Sequence, residues 1–95
     1  MKKTEFYNDI KTNVSYLTGL KREYWYKVGG SIALETDYYC INIECNRNVV
    51  TLFTKGFGEK GETVVTDYNK GYKENMVTLT AEKVYNFLTL KKEAI

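Results

Sequence analysis

Short strand-like segments separated by turns of only a few residues fill the middle of this chain, and their spacing is the strongest constraint on its fold. The segments are rich in β-branched and aromatic residues, and they lie at residues 24–28, 31–35, 38–45, 49–54 and 63–68, with 76–79 as a candidate for a short last strand. Parallel neighbours need a crossover of about a dozen or more residues, usually a helix. No spacer of that length separates these segments, so the sequence predicts an antiparallel sheet of four to six strands.

Apolar residues before the sheet recur at helical spacing. They form one stripe at steps of four, four and three residues, which consists of Phe6, Ile10, Val14 and Leu17. This spacing is typical of a helix with one buried face. We therefore predict a helix over residues 4–18, with Thr4 as its N-cap and Gly19 as a left-handed residue at its end.

A second helix is predicted after the sheet. Thr80 is a good N-cap residue, and Leu79 and Val84 occupy the two positions of a hydrophobic staple. Val84, Phe87 and Leu88 then supply the apolar side of the helix. The order helix, strands, helix predicts an α+β fold in which two helices pack on one antiparallel sheet, and residues 1–95 are expected to form a single domain.

The composition argues against several classes of function. The formal net charge is only +2, which is a weak field for capturing phosphate backbones, and the chain has no His, the commonest general base and metal ligand. No apolar run approaches the roughly 20 residues that a membrane helix needs. We therefore expect a cytoplasmic protein with no membrane contact and no cofactor.

The abundance of Lys and Asn and the scarcity of Ala are typical of an AT-rich genome, such as that of a low-GC bacterium or its phage.

Cys40 and Cys45 lie five positions apart in one predicted strand. Because side chains alternate between the two faces of a strand, an odd separation places the thiols on opposite faces. We expect two reduced thiols rather than a disulfide, as is usual in the cytosol. Either thiol would need a base other than His to act as a nucleophile, so an enzyme is not expected.

Gly56, Gly58 and Gly61 have the G-x-G-x-x-G spacing of nucleotide-binding loops. In a dinucleotide-binding fold that loop opens a helix, whereas residues 63–65, Thr-Val-Val, predict a strand. A protein-kinase glycine loop lies between strands, but this chain is too short for a kinase and lacks the other kinase motifs. The segment is interpreted as a hairpin loop, with Gly56, Phe57 and Gly58 as candidate contact residues.

Residues 55–58, Lys-Gly-Phe-Gly, also resemble the first half of the RNP1 segment of RNA-recognition motifs, whose aromatic side chains stack on bases. The resemblance covers these four residues only. Residues 59–61 lack the aromatic and aliphatic side chains that follow in that family, and a helix-first order departs from its strand-first topology. The chain is therefore not assigned to that family.

Aromatic and basic side chains are interleaved at residues 22–27, as a stacking platform for single-stranded nucleic acid requires. On a strand, Tyr24 and Tyr26 share one face and Trp25 lies on the other, so only one set can meet a ligand. Tyr68 and Tyr72 flank a turn that contains Lys70, and side chains at such a position are commonly exposed.

These observations favour a small non-enzymatic protein-binding module, because Tyr adds buried area to an interface at low entropic cost. The specific hypothesis is an inhibitor or adaptor from a phage or mobile element that acts on a host protein such as a defence nuclease. The expected partner-binding residues are Tyr24, Tyr26, Gly56, Phe57, Gly58, Tyr68, Lys70 and Tyr72. The alternative is binding of single-stranded nucleic acid through an aromatic and basic sheet face. The sequence specifies neither the identity of the partner nor the oligomeric state.

Overall fold

Five antiparallel strands form a meander in the computed structural model, which describes residues 2–70 and 73–93 of the chain. The elements are α1 (Lys3–Thr18), β1 (Tyr26–Val28), β2 (Ser31–Glu35), β3 (Tyr39–Asn46), β4 (Val49–Gly56), β5 (Glu62–Asp67) and α2 (Met76–Glu93). Short 3₁₀ turns lie at Arg22–Tyr24, Tyr68–Lys70 and Lys73–Asn75. The strands are ordered in space as they are in the chain. The predicted α+β fold, with a helix before and a helix after one antiparallel sheet, is therefore confirmed.

Tight turns set the register of the meander. Gly29 has a φ of 58° in the β1–β2 turn, and Arg47 and Asn48 have φ values of 52° and 65° in the β3–β4 turn. Positive φ at both central residues is the type I′ geometry, whose twist matches that of two antiparallel strands. Asn46 therefore pairs directly with Val49 across the predicted turn.

Both helices pack on the same face of the sheet and against each other, and the hydrophobic core lies between them and the sheet. Fully buried side chains from α1, the central strands and α2 include Phe6, Ile10, Val14, Ile32, Leu34, Ile41, Ile43, Met76 and Val84. Burying one such side chain contributes about 1.5–3 kcal/mol relative to leaving it in water. The core thus lies on the central strands of this face, whereas Val64 of β5, on the same face, is 37% exposed.

The predicted stripe of α1 is confirmed except at its last member. Leu17 is 43% exposed. It lies in the last turn of the helix, beside a groove of about 220 Å³ that Tyr85 and Leu88 of α2 also line. The two helices therefore do not close completely over this residue.

The start of α1 differs from the prediction, whereas its end agrees. The helix begins at Lys3 after Lys2, and no side chain caps it, so Thr4 is not the N-cap. Gly19 ends the helix with a φ of 78°, and its N–H donates to the carbonyl oxygen of Ser15 at 2.8 Å. Left-handed glycine is the usual way in which a helix terminates.

The start of α2 was predicted one turn too late. The helix begins at Met76 rather than after Thr80, and residues 76–79 are helical rather than a strand. Met76 and Thr80 are each 1% exposed, because the buried stripe of α2 already includes its first turn. The predicted inward positions of Val84 and Leu88 are confirmed.

Candidate functional site

One face of the sheet is covered by neither helix, and we call it the open face. It consists of the even-numbered residues of β1 and β3 and the odd-numbered residues of β2, β4 and β5. Outward faces of antiparallel sheets usually carry polar side chains. Here Tyr26, Val28 and Val65 are 44%, 47% and 62% exposed, so the open face presents apolar groups to water.

Hydrogen bonds hold several open-face side chains in place. The Tyr26 hydroxyl donates to Glu35 Oε2 at 3.0 Å, and Asn42 Nδ2 donates to Ser31 Oγ at 3.2 Å. The bond to the Glu35 carboxylate raises the pKa of Tyr26 above its ordinary value. Tyr26 therefore remains a neutral ring with a fixed orientation, which lowers the entropic cost of using it in a contact.

Phe53, in the middle of the open face, leans over the β4–β5 loop. A Cβ atom on Gly61 would lie 2.5 Å from both Cε1 and Cζ of Phe53, closer than carbon atoms can pack. Gly61 does not have a left-handed backbone, so its conformation alone does not demand glycine. The last glycine of the G-x-G-x-x-G spacing thus makes room for an aromatic ring rather than for a phosphate.

Two exposed aromatic side chains stand at one end of the open face, and we call Tyr38 and Phe57 the aromatic rim. They lie just beyond the last residue pair of β3 and β4, Tyr39 and Gly56, and continue the open-face alternation of both strands. The Phe57 N–H donates to the Tyr38 carbonyl oxygen at 2.8 Å, which ties their loops together. Tyr38 is 56% and Phe57 84% exposed.

A shallow depression of about 300 Å³ lies next to the aromatic rim. Its lining includes Cys40 of β3, which pairs directly with Glu35 of β2 and with Lys55 of β4. The rim is therefore bordered by a carboxylate, a thiol and an ammonium group. Exposed aromatic groups with polar neighbours are the usual composition of a protein contact surface.

The open face carries more carboxylates than ammonium groups. Among its strand residues, Glu35, Glu44 and Asp67 are acidic and Lys55 is basic. The whole chain has a formal charge of +2, so the rest of the surface is more basic than this face. A stacking platform for nucleic acid needs cations around its aromatic rings, and the open face has no such excess.

The structure places several of the predicted contact residues on or near this surface. Tyr26 lies on the open face, and Phe57 and Gly58 are exposed in the β4–β5 loop, which is a hairpin connection as predicted. Gly56 is buried as the last residue of β4, and Gly58 has a φ of 74° that favours glycine. Tyr24 is 54% exposed but lies in a 3₁₀ turn rather than in β1.

The expectation that Tyr68 is exposed is wrong. Tyr68 is 1% exposed, and its hydroxyl lies 3.5 Å from Thr80 Oγ1 in the core. The β5 residues that face the helices have even numbers, and Tyr68 continues that alternation beyond the end of the strand. Lys70 is exposed as expected, and Tyr72 lies outside the described residues.

Sequence reasoning missed Tyr38, the second member of the aromatic rim. Tyr38 was treated as the start of a strand, whereas β3 starts at Tyr39. The alternation that assigns Cys40 and Asn42 to the open face also assigns Tyr38 to it. The register in which β3 pairs with β4 then brings Tyr38 next to Phe57.

Among the described residues, neither a metal-binding group nor a helix that could span a membrane is found. Among residues 2–70 and 73–93, no three His, Cys, Asp or Glu side chains form a group that could hold a metal ion. Neither helix, as far as it is described, has the length and apolar character needed to cross a bilayer. Burial raises the pKa of the Cys45 thiol above its ordinary 9.0, so this thiol stays protonated and is a weak nucleophile.

The two cysteines should differ in reactivity. We expect Cys40 to react with a maleimide in the folded protein, because it lies partly exposed on the open face, whereas Cys45 is buried in the core. Brief labelling followed by intact-mass measurement should give one adduct in buffer and two in urea. Two adducts in buffer, or a disulfide that blocks both thiols, would contradict the placement on opposite faces.

Comparison of the chain with protein-family models, with curated proteins and with solved structures gives no match. Its function therefore has to be argued from the geometry and charge of its own surface.

Proposed function

We propose that this chain is a small non-enzymatic protein-binding module that contacts its partner through the open face and the aromatic rim. The observation that carries the proposal is the exposed pair Tyr38 and Phe57 at the end of a sheet face that neither helix covers. Exposed apolar groups gathered on one surface of a small domain mark an interaction site. Aromatic side chains also dominate the residues that contribute most to binding free energy in protein interfaces.

The surface is arranged to bind without large rearrangement. The backbone bond between Phe57 and Tyr38 joins the two rim loops, and the bond from Tyr26 to Glu35 holds a third aromatic ring on the same face. Groups already held in their bound positions lose less conformational entropy on association. A rigid aromatic surface of this kind suits a specific protein contact.

The charge of the open face favours a protein partner over nucleic acid. Three carboxylates and one lysine among its strand residues would repel a phosphate backbone that approached the aromatic rings. A protein surface with basic groups at its edge would instead complement Glu35 and Glu44. Nucleic-acid binding through this face is the weaker alternative.

The specific form of the proposal is an inhibitor or adaptor from a phage or mobile element that acts on a host protein such as a defence nuclease. Such a protein needs one contact surface and no catalytic groups. A chain of 95 residues without His fits that requirement.

The test removes the aromatic rim and leaves the fold intact. Tyr38→Ala and Phe57→Ala should each weaken binding of the partner by about 1–3 kcal/mol while leaving the melting temperature nearly unchanged. Tagged wild-type protein and the double variant would be purified from the native host, and the proteins that accompany each would be quantified by mass spectrometry. The partner should be present with the wild type and lost with the double variant.

Tyr16→Ala provides the matched control. Tyr16 is 89% exposed on α1, on the side of the sheet away from the open face, so its removal should leave the partner bound. Nuclease treatment should also leave the partner bound. If the double variant retains every accompanying protein, or if only nucleic acid accompanies the wild type, the proposed function is wrong.

A further inference from the structure

A basic groove of about 370 Å³ lies between α1 and the β1–β2 hairpin. Lys3 and Lys11 line it from the helix, and Lys27 lines it from β1. Lys3 and Lys11 are eight residues apart, which corresponds to roughly 12 Å along a helix. The groove is thus flanked by ammonium groups on two elements, and it lies at the end of β2 opposite to the aromatic rim.

The lining contains no Asp or Glu, and none of the three ammonium groups forms an ion pair with a described residue. Glu44, which pairs across the strands with Ser31 of the lining, lies on the open face rather than in the groove. Like charges around a concave surface with low-dielectric walls concentrate a positive potential there. An anion that entered the groove would relieve the repulsion among the lysines.

The ammonium group of Lys3 lies close to the β1–β2 turn. A Cβ atom on Gly30 would lie 3.0 Å from Lys3 Nζ, and Gly30 does not have a left-handed backbone that would itself demand glycine. Thr4 and Asn8 add a hydroxyl and an amide to the lining. The groove therefore combines three cations with neutral hydrogen-bonding groups.

We propose that this groove binds a small phosphorylated molecule with two or more negative charges. Lysine is a common phosphate ligand because its compact ammonium group acts as a point charge with three rotatable donors. A volume of about 370 Å³ is at the lower end of the range typical of small-molecule pockets. This site goes beyond the proposed protein contact, since none of its lysines belongs to the open face.

The test uses inorganic pyrophosphate as the probe, followed by ¹H–¹⁵N NMR of the wild-type protein. Saturable shifts should be confined to amides of residues 3–11 and 27–32. The triple variant Lys3→Gln, Lys11→Gln, Lys27→Gln should weaken binding by roughly tenfold or more, because charge contributes most of the affinity.

The matched control removes the same number of charges elsewhere. Lys21→Gln, Lys60→Gln, Lys73→Gln changes three exposed lysines outside the groove, and binding should stay within about twofold of the wild type. An equal loss in both triple variants, or shifts spread over the whole surface, would overturn the proposal. It would also be overturned if a ten-residue oligothymidylate or a hexa-aspartate peptide bound more tightly than pyrophosphate. None of these results depends on the partner of the open face, so the two proposals fail independently.

Discussion

Tyr68→Ala should lower the free energy of unfolding by about 3–5 kcal/mol, the cost typical of deleting a buried aromatic side chain. The ring is 1% exposed, and its removal would leave a cavity between the end of β5 and α2. Trp25, the single Trp of the chain, is 5% exposed and provides a fluorescence signal for urea denaturation. The midpoint should fall with little change in the slope of the transition.

Two further substitutions test whether the loss of stability comes from the ring rather than the hydroxyl, and from a core position rather than a surface position. Tyr68→Phe should cost less than about 1 kcal/mol, because the contact of its hydroxyl with Thr80 is long at 3.5 Å. Tyr38→Ala should change stability by no more than about 0.5 kcal/mol, since that ring is exposed. If Tyr68→Ala fails to fold, Tyr68→Leu should give a smaller, measurable loss. Equal losses for Tyr68→Ala and Tyr38→Ala would contradict the assignment of Tyr68 to the core.

The fold was predictable from the sequence because its strongest local signals agree with its topology. The stripe Phe6, Ile10 and Val14 faces the sheet, and the alternation in β2 and β3 places its apolar residues under the helices. Short turns left antiparallel pairing as the only option for consecutive strands. The start of α2 was predicted too late because Thr80 is a residue type that often caps a helix. In the structure, Thr80 is buried in the core and lies inside the helix.

The candidate site was less predictable because it depends on strand pairing and on which face the helices cover. Phe57 was identified from its exposed loop, but its neighbour Tyr38 comes from another hairpin. Tyr68 comes directly before a turn-like sequence, yet the alternation of β5 places it in the core. The basic groove was missed for a similar reason, since Lys3, Lys11 and Lys27 are far apart in the chain and meet only where α1 crosses the β1–β2 hairpin.

Tyr7→Phe should lower the free energy of unfolding by about 2–4 kcal/mol, although it removes a single oxygen atom. The Tyr7 hydroxyl donates to the carbonyl oxygen of Gly30 at 2.6 Å and accepts the N–H of Cys45 at 2.9 Å. Gly30 and Cys45 lie next to each other just beyond the last residue pair of β2 and β3, so the hydroxyl replaces the next hydrogen bond of the ladder. Without it, the N–H of buried Cys45 has no partner, and leaving such a group unsatisfied is costly.

Tyr16→Phe is the matched control, because Tyr16 lies on the same helix and is 89% exposed. It should leave stability within about 0.5 kcal/mol of the wild type. Hydrogen exchange gives a more local measurement: the Cys45 amide should exchange slowly in the wild type and faster in Tyr7→Phe, beyond the change at neighbouring amides. Unchanged exchange at Cys45 would mean that the hydroxyl does not hold the end of the ladder.

The alkaline stability of the protein should depend on the same hydroxyl. Burial raises the pKa of Tyr7 above its ordinary 10.0, so the neutral ring is favoured in the folded state. A group with a raised folded pKa stabilises the protein fully below its unfolded pKa, and this stability is lost as the pH rises through the folded pKa. Burial also raises the pKa of Tyr39 above 10.0 and that of Cys45 above 9.0, so wild-type stability should fall from about pH 9 upward. Tyr7→Phe removes one of these groups. The free energy of unfolding of this variant, measured by urea denaturation, should therefore fall less steeply above pH 10 than that of the wild type. An equally steep fall would show that Tyr7 ionises as freely in the folded chain as in the unfolded one.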